Sequence, residues 1–142
     1  MPVEAFIDTN IFVYSVSSHP SERTKRDKAR ALLRSVDFGT SAQVLAEFYI
    51  TVTRKIAEPL SESQALQFIA RLIRLPVLAI DPHLVLEAIA LKQEHHLSYW
   101  DGAVLAAAHR LRVRTIYSED FAHNQLYGSI QVINPFRAKA KL

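Results

Sequence analysis

Four carboxylates in this 142-residue chain, Asp8, Glu47, Asp101 and Asp120, border apolar segments. Asp8 follows the run Val3 to Ile7, and Glu47 lies three residues after Val44 and one before Phe48. Asp101 opens an alanine-rich stretch, and Asp120 follows Thr115-Ile116-Tyr117 closely. Taken singly, each has an ordinary reading: helix N-caps for Asp8 and Asp101, a turn residue for Asp120, a solvent-facing side chain for Glu47. Taken together they pose an electrostatic problem. Two carboxylates about 4 Å apart repel by roughly 4 kcal/mol at an effective dielectric near ~20, so four that converge require a compensating cation. The chain has no cysteine, which excludes a thiolate nucleophile, a sulfur-held zinc and a disulfide framework. An all-oxygen donor set favours Mg²⁺, with Mn²⁺ able to substitute. Such an ion activates water and neutralises the charge that develops on a phosphodiester during in-line attack.

Other chemistries find less support. The six histidines include the adjacent pair His95-His96, which on a helix point in different directions, and no His-Glu-x-x-His occurs. A Gly-x-Ser-x-Gly nucleophile elbow is missing from the sequence. Three glycines supply neither a phosphate loop nor a dinucleotide fingerprint. Trp100, beside Asp101, has two readings: stacking on a nucleobase, or the commoner fate of core packing.

The elements that must position the acids follow from hydrophobic pattern and punctuation. Val3 to Ile7 reads as a strand buried on both faces, ending at Asp8. Ser21 caps a helix over about Glu22–Val36 that is apolar on one side and basic on the other, carrying Arg23, Lys25, Arg26 and Arg30 as candidate phosphate contacts against the plainer reading of a solvated face. Asp37-Phe38-Gly39-Thr40 reads as a turn. Ser41 then caps a helix over about Ala42–Ile56, well buried and bearing Glu47. Ser61-Glu-Ser-Gln64 is a capping box opening a helix to about Ile73. Pro76–Ile80 reads as a short strand, and Asp81-Pro82 starts a helix to about His95. Asp101 starts the Gly102–Leu111 helix, and Thr115–Tyr117 and Ile130–Ile133 are strands. Strands alternating with helices predict one α/β domain over 1–142, a three-layer α/β/α arrangement around a parallel sheet of four to five strands, with a core of about 3–136 and a basic C-terminal tail. Asp8 and Asp120 then share the carboxyl edge of the sheet, where ligands of such folds collect.

Composition bounds the rest. Apolar content of 49% and charged content of 22% describe a soluble globular chain. No leader peptide and no run of membrane-spanning length is legible, which predicts a cytoplasmic protein with no membrane partner. Net charge is +3, but setting four of the 14 acids in one pocket leaves ten against 17 bases. A basic surface around an acidic hole suits a polyanion held over a metal.

Phe6-Ile-Asp8-Thr-Asn10, Ser41-Ala-Gln-Val-Leu-Ala-Glu47-Phe, Ser98-Tyr-Trp-Asp101, Ser118-Glu-Asp120-Phe and Val132-Ile-Asn-Pro-Phe136 together resemble PIN-domain ribonucleases, most closely the VapC-type toxins of toxin–antitoxin pairs. The resemblance spans about Val3 to Phe136. It implies a Mg²⁺-dependent endoribonuclease, a homodimer, an RNA substrate and a small cognate antitoxin. It also implies that Asp8 and Asp101 are the principal metal ligands, that Glu47 and Asp120 complete the site directly or through water, and that Asn10 and Ser118 support them while Thr9 holds the turn. Two positions depart from the pattern: Asn124 replaces a common glycine, and Gly102 replaces alanine, which is expected to loosen that helix start. Two readings stand beside this one: a catalytically silent RNA-binding or antitoxin-docking module, and a metal-dependent phosphatase. The second would want Asp-x-Asp after the first strand, where this chain has Asp8-Thr9-Asn10.

Overall fold

The computed structural model describes residues 3–137; Met1 and Pro2, read above as lacking a leader, and the tail from residue 138 onward lie outside it. The elements run β1 (Ala5–Ile7), α1 (Thr9–Ser15), a 3₁₀ turn (Pro20–Glu22), α2 (Arg23–Ser35), β2 (Phe38–Ser41), α3 (Ala42–Ile50), a π-helical turn (Thr51–Lys55), α4 (Glu62–Leu72), β3 (Val77–Leu78), α5 (Pro82–His95), α6 (Tyr99–Leu111), β4 (Thr115–Tyr117), β5 (Leu126–Tyr127) and β6 (Ile130–Ile133). The sheet order is β3-β2-β1-β4-β6-β5, parallel throughout except for the antiparallel β5–β6 edge. The α/β class and the mostly parallel sheet are therefore as expected.

All three residues of β1 are buried, which requires cover on both faces of the sheet. On α6, Gly102 through Ala108 are all buried, and the helix lies against β1, β2 and β3. Helix α5 lies against α6 through Leu84, Ala88, Ala103 and Ala106. The larger core gathers Phe6, Phe12 and Phe48, with Phe48 stacked on Phe68 at 4.7 Å between ring centroids.

Among the described residues the sheet has six strands rather than four to five, and the differences have local causes. Phe38–Ser41 is a strand, not a turn. Its glycine punctuates nothing: a Cβ on Gly39 would stand 2.8 Å from the Pro76 carbonyl oxygen, so the residue permits a close backbone approach. The two-residue β5 carries too little pattern to read. Pro76–Ile80 contracts to Val77–Leu78. The helix expected over 42–56 is α-helical only to Ile50. There Thr53 Oγ1 donates back to the Tyr49 carbonyl at 2.6 Å and the Ile56 amide bonds Thr51 O, widening the last turn into π geometry. His19, not Ser21, caps the segment leading into α2, its ring nitrogen accepting from the Ser21 amide. Helix α6 begins at Tyr99, three residues before Gly102, with Ser98 as its cap. Gly102 does not loosen it. A Cβ there would stand 2.4 Å from the Ala88 carbonyl oxygen, so glycine is what lets α5 and α6 approach. Asn124, at the position of that common glycine, takes a left-handed conformation, with φ of 65°, which asparagine tolerates more readily than most residues.

Candidate active site

The site is built on the pairing of β1 with β4. Their register sets Ile7 opposite Tyr117, and the Asp8 amide donates to the Tyr117 carbonyl at 3.1 Å. Asp8 and Ser118 thus leave the carboxyl edge of neighbouring strands side by side. Asp8 caps α1: one carboxylate oxygen accepts from the Thr9 amide at 2.8 Å, the other from the Ser118 hydroxyl at 2.7 Å. At 5% exposure its carboxyl is raised from 3.8 to about 6. Burial is the main cause, outweighing those two hydrogen bonds, and the charges of Asp120 and Glu47 add to it.

Ser118 works in three directions. Its hydroxyl oxygen, besides donating to Asp8, accepts from the Asp120 amide at 3.1 Å and from Asn10 Nδ2 at 3.4 Å. Asn10 in turn accepts from the Glu119 amide at 3.1 Å, so α1 holds the loop that carries Asp120. Thr9 does more than hold a turn: its hydroxyl donates to Glu47 Oε2 at 2.9 Å, and Gln43 Nε2 donates to Oε1 at 3.1 Å. Asp101 lies in the first turn of α6, half-buried, its amide bonded to Ser98 Oγ. Its carboxyl is also raised, first by burial and then by the charges of Asp120 and Glu47.

All four acids are therefore electrostatically linked, Glu47 and Asp120 acting on both Asp8 and Asp101. They do not form a closed cage. Among the described residues, no three Asp, Glu or His side chains stand ready to grip one ion together. The donor set still fits a hard divalent cation, because it is all oxygen and its internal repulsion is what such an ion relieves. To hold such an ion jointly, the four side chains would need rotation or bridging water. A cavity of about 300 Å³ opens here, lined by Thr9, Asn10, Tyr14, Glu47 and Asp120 among others.

The candidate RNA contacts divide. Arg23 is exposed, but Lys25, its side chain 40% exposed, is engaged by neighbours: its ammonium stands 2.5 Å from Glu119 and 3.1 Å from the Tyr14 hydroxyl, and 4.7 Å from the centre of the Tyr14 ring. Tyr14 also donates to Glu119 at 2.7 Å. Arg26 meets Asp27 at 3.3 Å, and Arg30 Nε donates to the Ser15 carbonyl at 2.8 Å. Tyr14 and Glu119 escaped the sequence reading. The only signal for Glu119 was its place between Ser118 and Asp120.

The PIN domain family model matches residues 5–128. The chain belongs to the PIN domain family. Solved structures similar to this PIN domain include a toxin–antitoxin complex from Klebsiella pneumoniae, with TM-score 0.69 and 21% identity, covering 95% of this chain and all of that one. Another is the Mycobacterium tuberculosis VapC20, a toxin that cleaves the sarcin-ricin loop, with TM-score 0.66 and 18% identity over 82% of this chain and 90% of that one. A third is FitAB bound to a DNA fragment, with TM-score 0.67 and 19% identity over 96% and 98%. A comparison with curated proteins found no match. No described helix of this PIN domain is long and apolar enough to cross a membrane.

Proposed function

We propose that this PIN-domain protein is a Mg²⁺-dependent endoribonuclease, with Mn²⁺ able to substitute, and that it is the toxin of a toxin–antitoxin pair. The observation that carries the reading is Asp8, a carboxylate buried at a sheet edge and loaded with the charge of Asp120 and Glu47. Such a group is costly to keep ionised without a cation. Asp8 and Asp101 would be the principal ligands, with Glu47 and Asp120 completing the site directly or through water. The ion, when bound, activates water and offsets charge on the scissile phosphate. The chain's own residues do the positioning. Ser118 and the Thr9 amide hold the Asp8 carboxylate, Thr9 and Gln43 aim Glu47, and Asn10 fixes the loop before Asp120. Attack by water in line with the leaving 3′-oxygen yields a 5′-phosphate and a 3′-hydroxyl.

Structural similarity to toxins and toxin–antitoxin complexes supports an antitoxin partner. That the antitoxin inhibits this chain, and that the chain acts as a homodimer in the cytoplasm, belongs to the same proposal and rests on the sequence resemblance. The test is cleavage of total RNA by the purified protein, with end mapping. Cleavage that needs Mg²⁺ or Mn²⁺, stops with chelator and is lost in Asp8→Asn supports the reading. Absence of cleavage with either ion, or an Asp8→Asn variant as fast as wild type, refutes it and leaves the silent RNA-binding or antitoxin-docking module.

A further inference from the structure

A second groove, of about 550 Å³, adjoins the acidic cavity. The two share Glu47, on α3, and Thr51, which opens the π-helical turn. Beyond Glu47 the groove is lined by Gln43, Ile50, Lys55 and Trp100. Trp100 does not pack in the core, the fate sequence reasoning favoured: the side chain is 59% exposed, and Ile50 is 47% exposed. A large indole left in water is uncommon, because it forgoes burial of an extensive apolar surface. Among the described residues its aromatic neighbour is Tyr99, edge-on at 5.0 Å and 77°, an arrangement that does not sandwich the ring.

We propose that Trp100 is a stacking platform for an unpaired nucleobase of the substrate, with Lys55 on the adjoining phosphate, so that this groove sets which nucleotide lies beside the cleaved bond. The inference rests on the nuclease reading and extends it to substrate class: single-stranded or looped RNA, since a base inside a duplex has no free face to offer. Continuity selects this occupant. A strand whose phosphate lies at Glu47 and Asp120 must leave the cavity, and the groove shares Glu47 and Thr51 with that cavity. Its chemistry suits a nucleotide, with an aromatic face for the base and a cation for the backbone. Trp100 immediately precedes Asp101, so a base held there is placed by the same helical turn that places a candidate ligand.

Trp100 is the only tryptophan, so its fluorescence reports this groove alone. The wild-type protein is titrated in chelator with single-stranded oligoribonucleotides carrying a fluorescent label, so that label anisotropy reports binding independently. The expected result is quenching of Trp100 emission in step with binding. In the Mg²⁺ cleavage assay, Trp100→Ala raises KM about 5- to 100-fold with kcat little changed, Trp100→Phe restores most of the loss, and cleavage-site preference flattens. Lys55→Ala lowers the slope of log affinity against log salt by about 0.7. Emission that stays unmoved while RNA binds, a failure to bind RNA, an unchanged KM in Trp100→Ala, or a protein-concentration-dependent emission shift without RNA (a second copy covering the indole) would each overturn the assignment. Quenching without cleavage would remove the nuclease reading and the link to a cleaved bond, and leave only the stacking of a base on Trp100.

Discussion

Ser118 Oγ donates to Asp8 Oδ2 at 2.7 Å, joining two residues 110 positions apart through the pairing of β1 with β4. The same hydroxyl oxygen accepts from the Asp120 amide, so one small side chain orients one acid directly and another through its backbone. Partners of this kind hold a carboxylate in its ligating orientation, and their loss typically costs about 10- to 100-fold in metal affinity or activity. Ser118→Ala is therefore expected to shift the Mg²⁺ concentration for half-maximal cleavage upward by about tenfold or more, with the fold retained by circular dichroism. An unchanged Mg²⁺ requirement would leave Ser118 a packing residue.

Asp8 makes stability depend on pH with a definite sign. Its folded carboxyl titrates at about 6, against 3.8 for a free side chain, so the folded state holds its proton more tightly than the unfolded state. Its favourable contribution is complete below about pH 4 and is lost as pH rises through 6, a loss of about 3 kcal/mol relative to a neutral group. In chelator, the melting temperature of wild type is expected to fall relative to that of Asp8→Asn as pH goes from 5 to 7.5, and added Mg²⁺ is expected to recover it. Parallel melting curves for the two proteins across that range would contradict the burial argument.

The helix α2 cations are predicted to behave differently from one another. Arg23 is exposed, so Arg23→Ala should lower the salt slope of RNA binding by about 0.7. Lys25 is committed to Glu119 and Tyr14, so Lys25→Ala should leave that slope nearly unchanged and instead reduce kcat by loosening the Ser118-Glu119-Asp120 loop. Equal slopes lost by both variants would place Lys25 on the RNA.

Gly102→Ala tests the contact between α5 and α6. The added Cβ meets the Ala88 carbonyl oxygen, a backbone atom, at 2.4 Å, and neither helix can yield cheaply. Urea unfolding should register a loss of about 1–3 kcal/mol, against the gain that alanine ordinarily brings to a helix. An unchanged or raised midpoint would mean the helices separate freely.

Much of this was legible because β1, α5, α6 and β4 carry strong local signals: an apolar run before Asp8, Asp81-Pro82, an alanine-rich stretch, and Thr115–Tyr117. The helix carrying Glu47 was also recognised, because Ser41 caps it and apolar residues fill its girth. What escaped depends on contacts between distant segments. Phe38-Gly39-Thr40 looks like a turn until Pro76 is seen to need the space beside Gly39. Trp100 looks like core until the surface beyond Glu47 is seen to leave it open. Lys25 looks like one more surface cation until β4 delivers Glu119 beside it. The π turn after Ile50 depends on which carbonyl Thr53 finds, and that leaves no periodic trace.

Binding of Mn²⁺, measured by electron paramagnetic resonance, tests most directly the proposal that four acids from separate elements jointly hold a hard divalent cation. Wild type should bind Mn²⁺ in competition with Mg²⁺, and each of Asp8→Asn, Glu47→Gln, Asp101→Asn and Asp120→Asn should weaken that binding, about tenfold or more for Asp8 and Asp101. Glu47→Gln and Asp101→Asn variants that bind Mn²⁺ as tightly as wild type would contradict it.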